Sequence, residues 1–231
     1  MHGVTARDGE ALLDLFESIG VDVWVDGGWG VDALLGKQTR IHADLDIVVS
    51  KHDVSALVEG LDIRKFKRIR TEDERPWNFV LGDAQGRKLD VHVISLDECG
   101  NGIYGPRGNG EMYPADSLTG WGVIHGRRVR CISAEWQMRF HTGYELGDND
   151  RHDMAALTEG FGLELLSDPS SADDYKVGVM SKKAPSPTAH SLILCFMASS
   201  LPHRSLTHVS FLALCNCQLI GVTLPSGAYL M

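Results

Sequence analysis

The 231-residue sequence predicts an α+β protein, a mixed β-sheet flanked by helices with a helical C-terminal part. Three observations carry that expectation. Segments with helical apolar spacing alternate with short strand-like runs. Two of those runs are close enough to form a hairpin through a turn-forming loop. After Ser133 the pattern becomes helical.

The elements follow in order. Ala11, Leu12, Leu15, Phe16 and Ile19 recur at helical spacing and Gly20 supplies a stop, while Thr5 and Asp8 resemble a capping box with Asp in place of Glu. Residues 21–25 read as a strand entering a turn at Asp26-Gly27-Gly28, and residues 29–35 as a short helix closed by Gly36. A strand over 45–49 precedes a helix over 52–61, whose Val54, Leu57, Val58 and Leu61 form one stripe. Strands are expected at 64–70, 77–81 and 88–94, the last two joined through Asp83-Ala84-Gln85-Gly86. A second hairpin over 122–125 and 128–132 turns at Gly126. Helices are expected over 134–146 and 150–159. Trp24, Trp29 and Trp77 read as core residues.

Composition bounds the function. The formal charge of −9 argues against nucleic acid as a partner and suits cationic small molecules and metal ions. The first ten residues lack a basic start followed by an apolar run, so no secretory signal is read there. Five cysteines without CxxC spacing suggest neither a disulfide framework nor a zinc site, and the cytoplasm is the expected compartment. All 31 acidic residues precede Ser181, whereas the remainder holds three of the cysteines and two apolar stretches, each short of the roughly 20 residues of a membrane span. The expected organisation is a core over 1–132, a helical part of the same unit over 133–167, and a linker with an atypical tail over 168–231. That tail reads as poorly ordered chain outside the folded unit in preference to a membrane-surface or partner-binding segment.

The strongest chemical signal is Arg40-Ile41-His42-Ala43-Asp44-Leu45-Asp46. Asp44 and Asp46 stand at i and i+2 at the mouth of a strand, so their carboxylates share one face. Two such charges repel unless a cation sits between them, and Mg²⁺ takes carboxylates, water and phosphate oxygens as ligands. Asp90 and His92 share one face of the 88–94 strand. If that strand lies beside 45–49, Asp90 completes a three-carboxylate cluster able to hold two metal ions. Gly27 and Gly28, between a strand and a helix, form either a phosphate cradle or an ordinary turn. Lys37 and Arg40 lie between the glycines and the acids, in reach of outer phosphates, although Lys37 also reads as a surface charge. His42 either steadies the acid pair or is structural. Gly28-Trp29-Gly30-Val31-Asp32-Ala33 fits a dinucleotide-binding pattern. The acid that pattern wants after the second strand instead precedes it, as a pair, so dinucleotide binding is disfavoured.

Taken together, residues 26–36, Thr39-Arg40, residues 42–46, Leu89-Asp90-Val91-His92, Arg130-Cys131-Ile132-Ser133 and Phe140-His141-Thr142-Gly143-Tyr144 with Asp150 and Asp153 resemble the antibiotic nucleotidyltransferases, most of all the lincosamide group, with the aminoglycoside adenylyltransferases close behind. The resemblance implies a polymerase-β-like nucleotidyltransferase fold. It implies that Asp44 and Asp46 bind Mg²⁺, that Asp90 binds metal or takes the proton from the acceptor hydroxyl, and that Gly27, Gly28 and Arg40, with Lys37 added on its spacing, hold an NTP, expected to be ATP. The acceptor would be a hydroxyl of a small-molecule antibiotic, with no membrane or nucleic-acid partner, and a homodimer is compatible with this reading. An aminoglycoside acceptor, a silent nucleotide-binding member and a metal-dependent phosphohydrolase are the rival readings. Two departures stand out. Gly27-Gly28 replaces the Gly-Ser frequent in the wider superfamily, and Ala43 stands where an acid is common.

Overall fold

The protein is described by a computed structural model covering residues 3–163, apart from 107, 109 and 143, and two short strands at 214–215 and 218–219. The chain divides into two units, Met1–Lys182 and Lys183–Met231. In the second, Leu214–Cys215 and Gln218–Leu219 form an antiparallel pair. The rest of the expected linker and tail over 168–231 lies outside the described residues.

The first unit opens with helix α1 (Ala6–Ser18), whose capping box is complete: the Asp8 amide donates to Thr5 Oγ1 and the Thr5 amide donates to the Asp8 carboxylate. The shorter acid serves as well as Glu at this end. Strand β1 (Val23–Asp26) runs directly into helix α2 (Gly27–Leu35). No turn intervenes, contrary to the sequence reading. Asp26 Oδ1 accepts the Gly27 amide at 2.8 Å, so the last strand residue caps the helix and both glycines form its first turn. Gly36 closes α2 at a φ of 67°.

Strand β2 (Leu45–Ser50) and helix α3 (Val54–Ile63) follow, then β3 (Lys67–Ile69), β4 (Asn78–Gly82) and β5 (Lys88–Leu96). The strand expected from residue 64 starts later because Lys65 adopts a left-handed φ of 66° and the Phe66 amide bonds back to Leu61. Strands β6 (Gly102–Tyr104) and β7 (Glu111–Tyr113) are three residues each, too short to show a period, and the sequence reading missed both. After a single 3₁₀ turn come β8 (Gly120–Ile124) and β9 (Arg127–Cys131), joined through His125 and Gly126 at φ of 51° and 83°. Helices α4 (Ala134–Phe140) and α5 (Asp148–Phe161) are the last elements among the described residues of this unit. The first is shorter than expected because His141 Nδ1 and Thr142 Oγ1 bond to the Gln137 and Arg139 carbonyls and end it there.

The sheet is mixed, with order β3-β4-β5-β2-β1-β9-β8 and β6 and β7 attached beside β5. β2 pairs with β5, and β1 with β9, in parallel; the other neighbours are antiparallel. Strand alternation then sorts the side chains. Val23, Val25, Leu45, Ile47, Val49, Leu89, Val91 and Val93 join Leu12 and Phe16 of α1 and Leu57 and Leu61 of α3 in the main core. Burying each large side chain contributes about 1.5–3 kcal/mol. The intervening residues Trp24, Val48 and Ile94 join Ile132 and Trp136 in a second cluster. A third joins Val31 of α2 to Met138 of α4 and Met154 and Leu157 of α5. Trp29 is buried and Trp77 packs against the main core, as expected. Gly122 permits the close seating of α2 on β8, since a Cβ there would fall 2.3 Å from the Ala33 carbonyl carbon.

Candidate active site

Period-two alternation places Asp26, Asp46, Asp90 and His92 on the face opposite the main core. The register then brings the acids abreast: Asp26 pairs with Asp46 across β1 and β2, and Asp46 with Asp90 across β2 and β5. Neighbouring strands lie about 4.8 Å apart, so three carboxylates are compressed into two strand spacings. Asp44 stands two residues ahead of Asp46 and lines the same cavity of about 400 Å³ with Asp26, Gly27, Gly28, Arg40 and His92. Its charge bears on both Asp46 and Asp90. The lining is completed by Glu111, Met112 and Tyr113 of β7, Phe140 and His141, and Asn149, Asp150 and Asp153 of α5.

The electrostatics follow from burial and crowding. Burial, then the Asp44 charge, pushes Asp46 up to about 8, although His92 pulls the other way. Asp90 is raised for the same two reasons, again opposed by His92. Burial works against a charged His92, but Asp26, Asp46 and Asp90 outweigh it and hold the imidazole up at about 9. Burial also opposes ionisation of Asp26, yet His92, the Gly27 amide and the Tyr113 hydroxyl keep its carboxyl below the usual range. His92 Nδ1 lies 3.7 Å from Asp26 Oδ2 and its Nε2 3.8 Å from Asp90 Oδ1, distances of ion pairs rather than hydrogen bonds. Tyr113 donates its hydroxyl to Asp26 at 3.2 Å, and Gln137 Nε2 donates to the other Asp26 oxygen at 3.1 Å.

This arrangement fits a divalent cation. Donor atoms of Asp46, Asp90 and His92 all lie within 4.8 Å of one another, and Asp90 Oδ1 is buried without a hydrogen-bond partner. A buried carboxylate oxygen left so is costly until a cation or donor meets it. Of the acids read from the sequence, Asp46 and Asp90 belong to this tight set and Asp44 borders it, with His92 as the third donor.

The other expected residues separate. Gly27 has a φ of 55°, and a Cβ there would fall 2.4 Å from Asp46 Oδ2, so only glycine lets the helix start this close to the acid. A Cβ on Gly28 would fall 2.2 Å from Arg40 Nη2 and 2.5 Å from His42 Nδ1; its bareness seats those two side chains. Arg40 lines the cavity and is gripped by Asp153 through Nε and Nη2 at 2.8 and 2.6 Å. Lys37 is not brought to the acids. It is exposed and borders a separate cavity with Ala6, Trp29 and Gln38, because Gly36 turns the chain away at the end of α2. His42 is structural: it is buried, bonds Asp32 Oδ2 at 2.5 Å and stacks at 4.5 Å on Trp29. Asp32, part of the apparent dinucleotide pattern, also accepts from the Thr39 amide and hydroxyl and so shapes the loop carrying Arg40.

Sequence reasoning left Asp26, Tyr113, Gln137 and Glu111 unassigned. Asp26 had a usable signal, since it shares strand parity with Trp24 and not with the core residues Val23 and Val25. Tyr113 and Glu111 sit on β7, which offered none.

A mixed sheet that lines up acids from three strands beside a glycine-opened helix defines a nucleotidyltransferase. The family model for Aminoglycoside-2''-adenylyltransferase matches residues 10–157. A lincosamide resistance protein of Staphylococcus haemolyticus is 35% identical over 160 residues, spanning 68% of this chain and 96% of that one. A 2''-aminoglycoside nucleotidyltransferase of Klebsiella pneumoniae is 30% identical over 128 residues, spanning 54% and 65%. The crystal structure of the lincosamide antibiotic adenylyltransferase LnuA, lincomycin-bound, superposes with a TM-score of 0.60 at 33% identity over 67% of this chain and 97% of that one. The chain belongs to this family of antibiotic nucleotidyltransferases and is an enzyme of that class. Among the described residues no helix is long and apolar enough to cross a membrane.

Proposed function

We propose that the enzyme transfers AMP from ATP to a hydroxyl of a lincosamide antibiotic, releasing pyrophosphate and inactivating the drug, in the cytoplasm. The observation that carries this reading is the register of Asp26, Asp46 and Asp90 beside Asp44 and the first turn of α2. The 35% identity to a lincosamide resistance protein, almost to its full length, supports the acceptor class.

In this reading Asp44, Asp46 and Asp90 hold two Mg²⁺ ions, which when bound neutralise the triphosphate and lower the cost of an alkoxide-like nucleophile. The chain's own groups do the rest. Arg40 and the Gly28 amide hold the phosphates against the N-terminus of α2, while Gly27, whose own amide serves Asp26, leaves room for their approach. The acceptor hydroxyl oxygen bonds to the α-phosphorus as the bond to the bridging β-phosphate oxygen breaks, and its proton passes to Asp90. Before metal binds, a charged His92 between Asp26 and Asp90 offsets part of the repulsion among the acids; as a metal donor it would be neutral. Positioning supplies much of the rate.

A second acceptor class has its own support. The cavity that holds Asp44 and Asp46 is also lined by Glu111 and Asp150, a charge density suited to a polycationic aminoglycoside. Incubating the protein with labelled ATP, Mg²⁺ and a panel of lincosamides and aminoglycosides, with mass analysis of the drugs, decides between them. Adenylated lincomycin is the expected product. Free phosphate, or no product with any drug, refutes the proposal.

A further inference from the structure

Arg40 stands in the loop between α2 and β2, where no helix or strand holds it. Its guanidinium is nevertheless fixed on three sides. Nε and Nη2 donate to the two oxygens of Asp153 at 2.8 and 2.6 Å, Nη1 donates to the Ile41 carbonyl at 3.2 Å, and Nη2 lies over Gly28. Asp153 is only 2% exposed, midway along α5, on a helix whose Met154 and Leu157 are buried against Val31 and Met138. Such a two-pronged pair sets the plane of the guanidinium as well as its place, which a lysine or a single bond does not do. A guanidinium has five N–H donors. Three are engaged by Asp153 and Ile41, and two are left at a cavity that both side chains line.

We infer that Asp153 is the positioning residue for nucleotide binding, fixing Arg40 from α5 so that its two remaining N–H donors meet the triphosphate beside the first turn of α2. This rests on the nucleotide-transfer reading above. It gives α5 a double part. The helix carrying Asn149 and Asp150 on the acceptor wall also sets the phosphate grip, although it lies 113 residues from Arg40 in the chain.

The test uses the full chain with a non-hydrolysable ATP analogue and Mg²⁺, measuring affinity by calorimetry, with KM for ATP, KM for the acceptor, kcat and Tm alongside. Asp153→Asn keeps the shape but loses the charged fork. It is expected to weaken nucleotide binding about tenfold while moving the acceptor KM less than about threefold. Arg40→Gln should weaken the nucleotide at least as much, and the matched neutral pair of Arg40→Gln with Asp153→Asn should be no weaker than Arg40→Gln alone. A lowered Tm with wild-type nucleotide affinity in Asp153→Asn overturns the inference, as does a double variant that loses the sum of the two effects. Should Asp153→Asn not fold, Asp153→Glu retains the charge on a longer arm. Intermediate nucleotide loss there supports the inference, and wild-type affinity overturns it. Wild-type affinity in Arg40→Gln instead removes the phosphate role of Arg40, and absence of nucleotidyl transfer by the unaltered enzyme removes the reading beneath both.

Discussion

Asp26 and Asp46 face each other in register across antiparallel β1 and β2, yet they end in opposite electrostatic states. Asp26 accepts from the Gly27 amide, Tyr113 and Gln137 and is held ionised, whereas Asp46 has Asp44 and Asp90 for company and resists ionisation. The capped acid opens the helix, and the uncapped one waits for a cation.

Asp46→Asn should abolish turnover while leaving the fold intact, because the amide removes a metal-binding charge without removing volume. The metal-free variant should also melt higher than the metal-free parent above neutral pH, on the order of 5 °C. Kinetics and calorimetry on the same preparations check both; turnover near the parental rate refutes the metal assignment.

The metal-free protein should lose stability as pH rises. Asp46 has a folded value of about 8 against an ordinary 3.8, so its contribution is complete below the unfolded value and fades as pH climbs towards 8. His92, raised from 6.5 to about 9, contributes fully below 6.5 and loses its share as pH passes 9. Both slopes have the same sign between pH 6.5 and 8. Melting curves across pH 6–9 should therefore fall, and a saturating divalent cation should flatten them. A rising or level metal-free curve is incompatible with this arrangement.

Gly28→Ala should cost about 1–3 kcal/mol of stability and at least tenfold in kcat/KM for ATP, because the new Cβ displaces Arg40 and His42 together. Urea unfolding and nucleotide kinetics measure the two effects. Unchanged values would mean that those side chains yield without consequence.

Lys37→Ala should leave KM for ATP within about twofold of the parent, as an exposed charge away from the acid cavity. A tenfold rise would return Lys37 to the phosphate site. Asp32, nearby on α2, behaves otherwise. Asp32→Ala strips a partner from buried His42 and from Thr39, so it should destabilise the protein by about 2–4 kcal/mol in urea unfolding.

Glu111→Gln and Asp150→Asn should raise KM more for aminoglycosides than for lincomycin, whichever is the better substrate, since a polycation draws more on the wall's charge. Equal shifts for both drug classes would show that the wall does not sort acceptors by charge.

Much of this was legible in the sequence, and the reasons are local. Lys88 to Val93 alternates polar with apolar residues, and Asp44 to Ile47 does so at the mouth of its strand, so the face of each acid is legible locally; that the two strands lie side by side comes only from the parallel register. Thr5 with Asp8, and Gly36 after an apolar run, carry their meaning within a few residues. What escaped depended on partners distant in the chain. Arg40 could be read as a phosphate ligand, but its grip by Asp153 exists only once α5 folds back. Lys37 sits three residues from Arg40, and its departure from the site depends on the direction in which Gly36 sends the loop. His92 as a third donor depends on a side chain reaching back towards Asp90 and Asp46. Tyr113 lay on a strand of three residues that no periodicity could reveal.

The parallel join of β2 to β5 has one more implication. Slipping either strand by a single position would swing Asp46 or Asp90 into the oily interior and bring a valine or leucine out in its place. A chain that folds with the wrong alignment therefore arrives without its chemistry. Specific activity per mole of folded protein thus doubles as an assay of whether the sheet was assembled in the right order, a property that spectroscopic measures of secondary structure do not see.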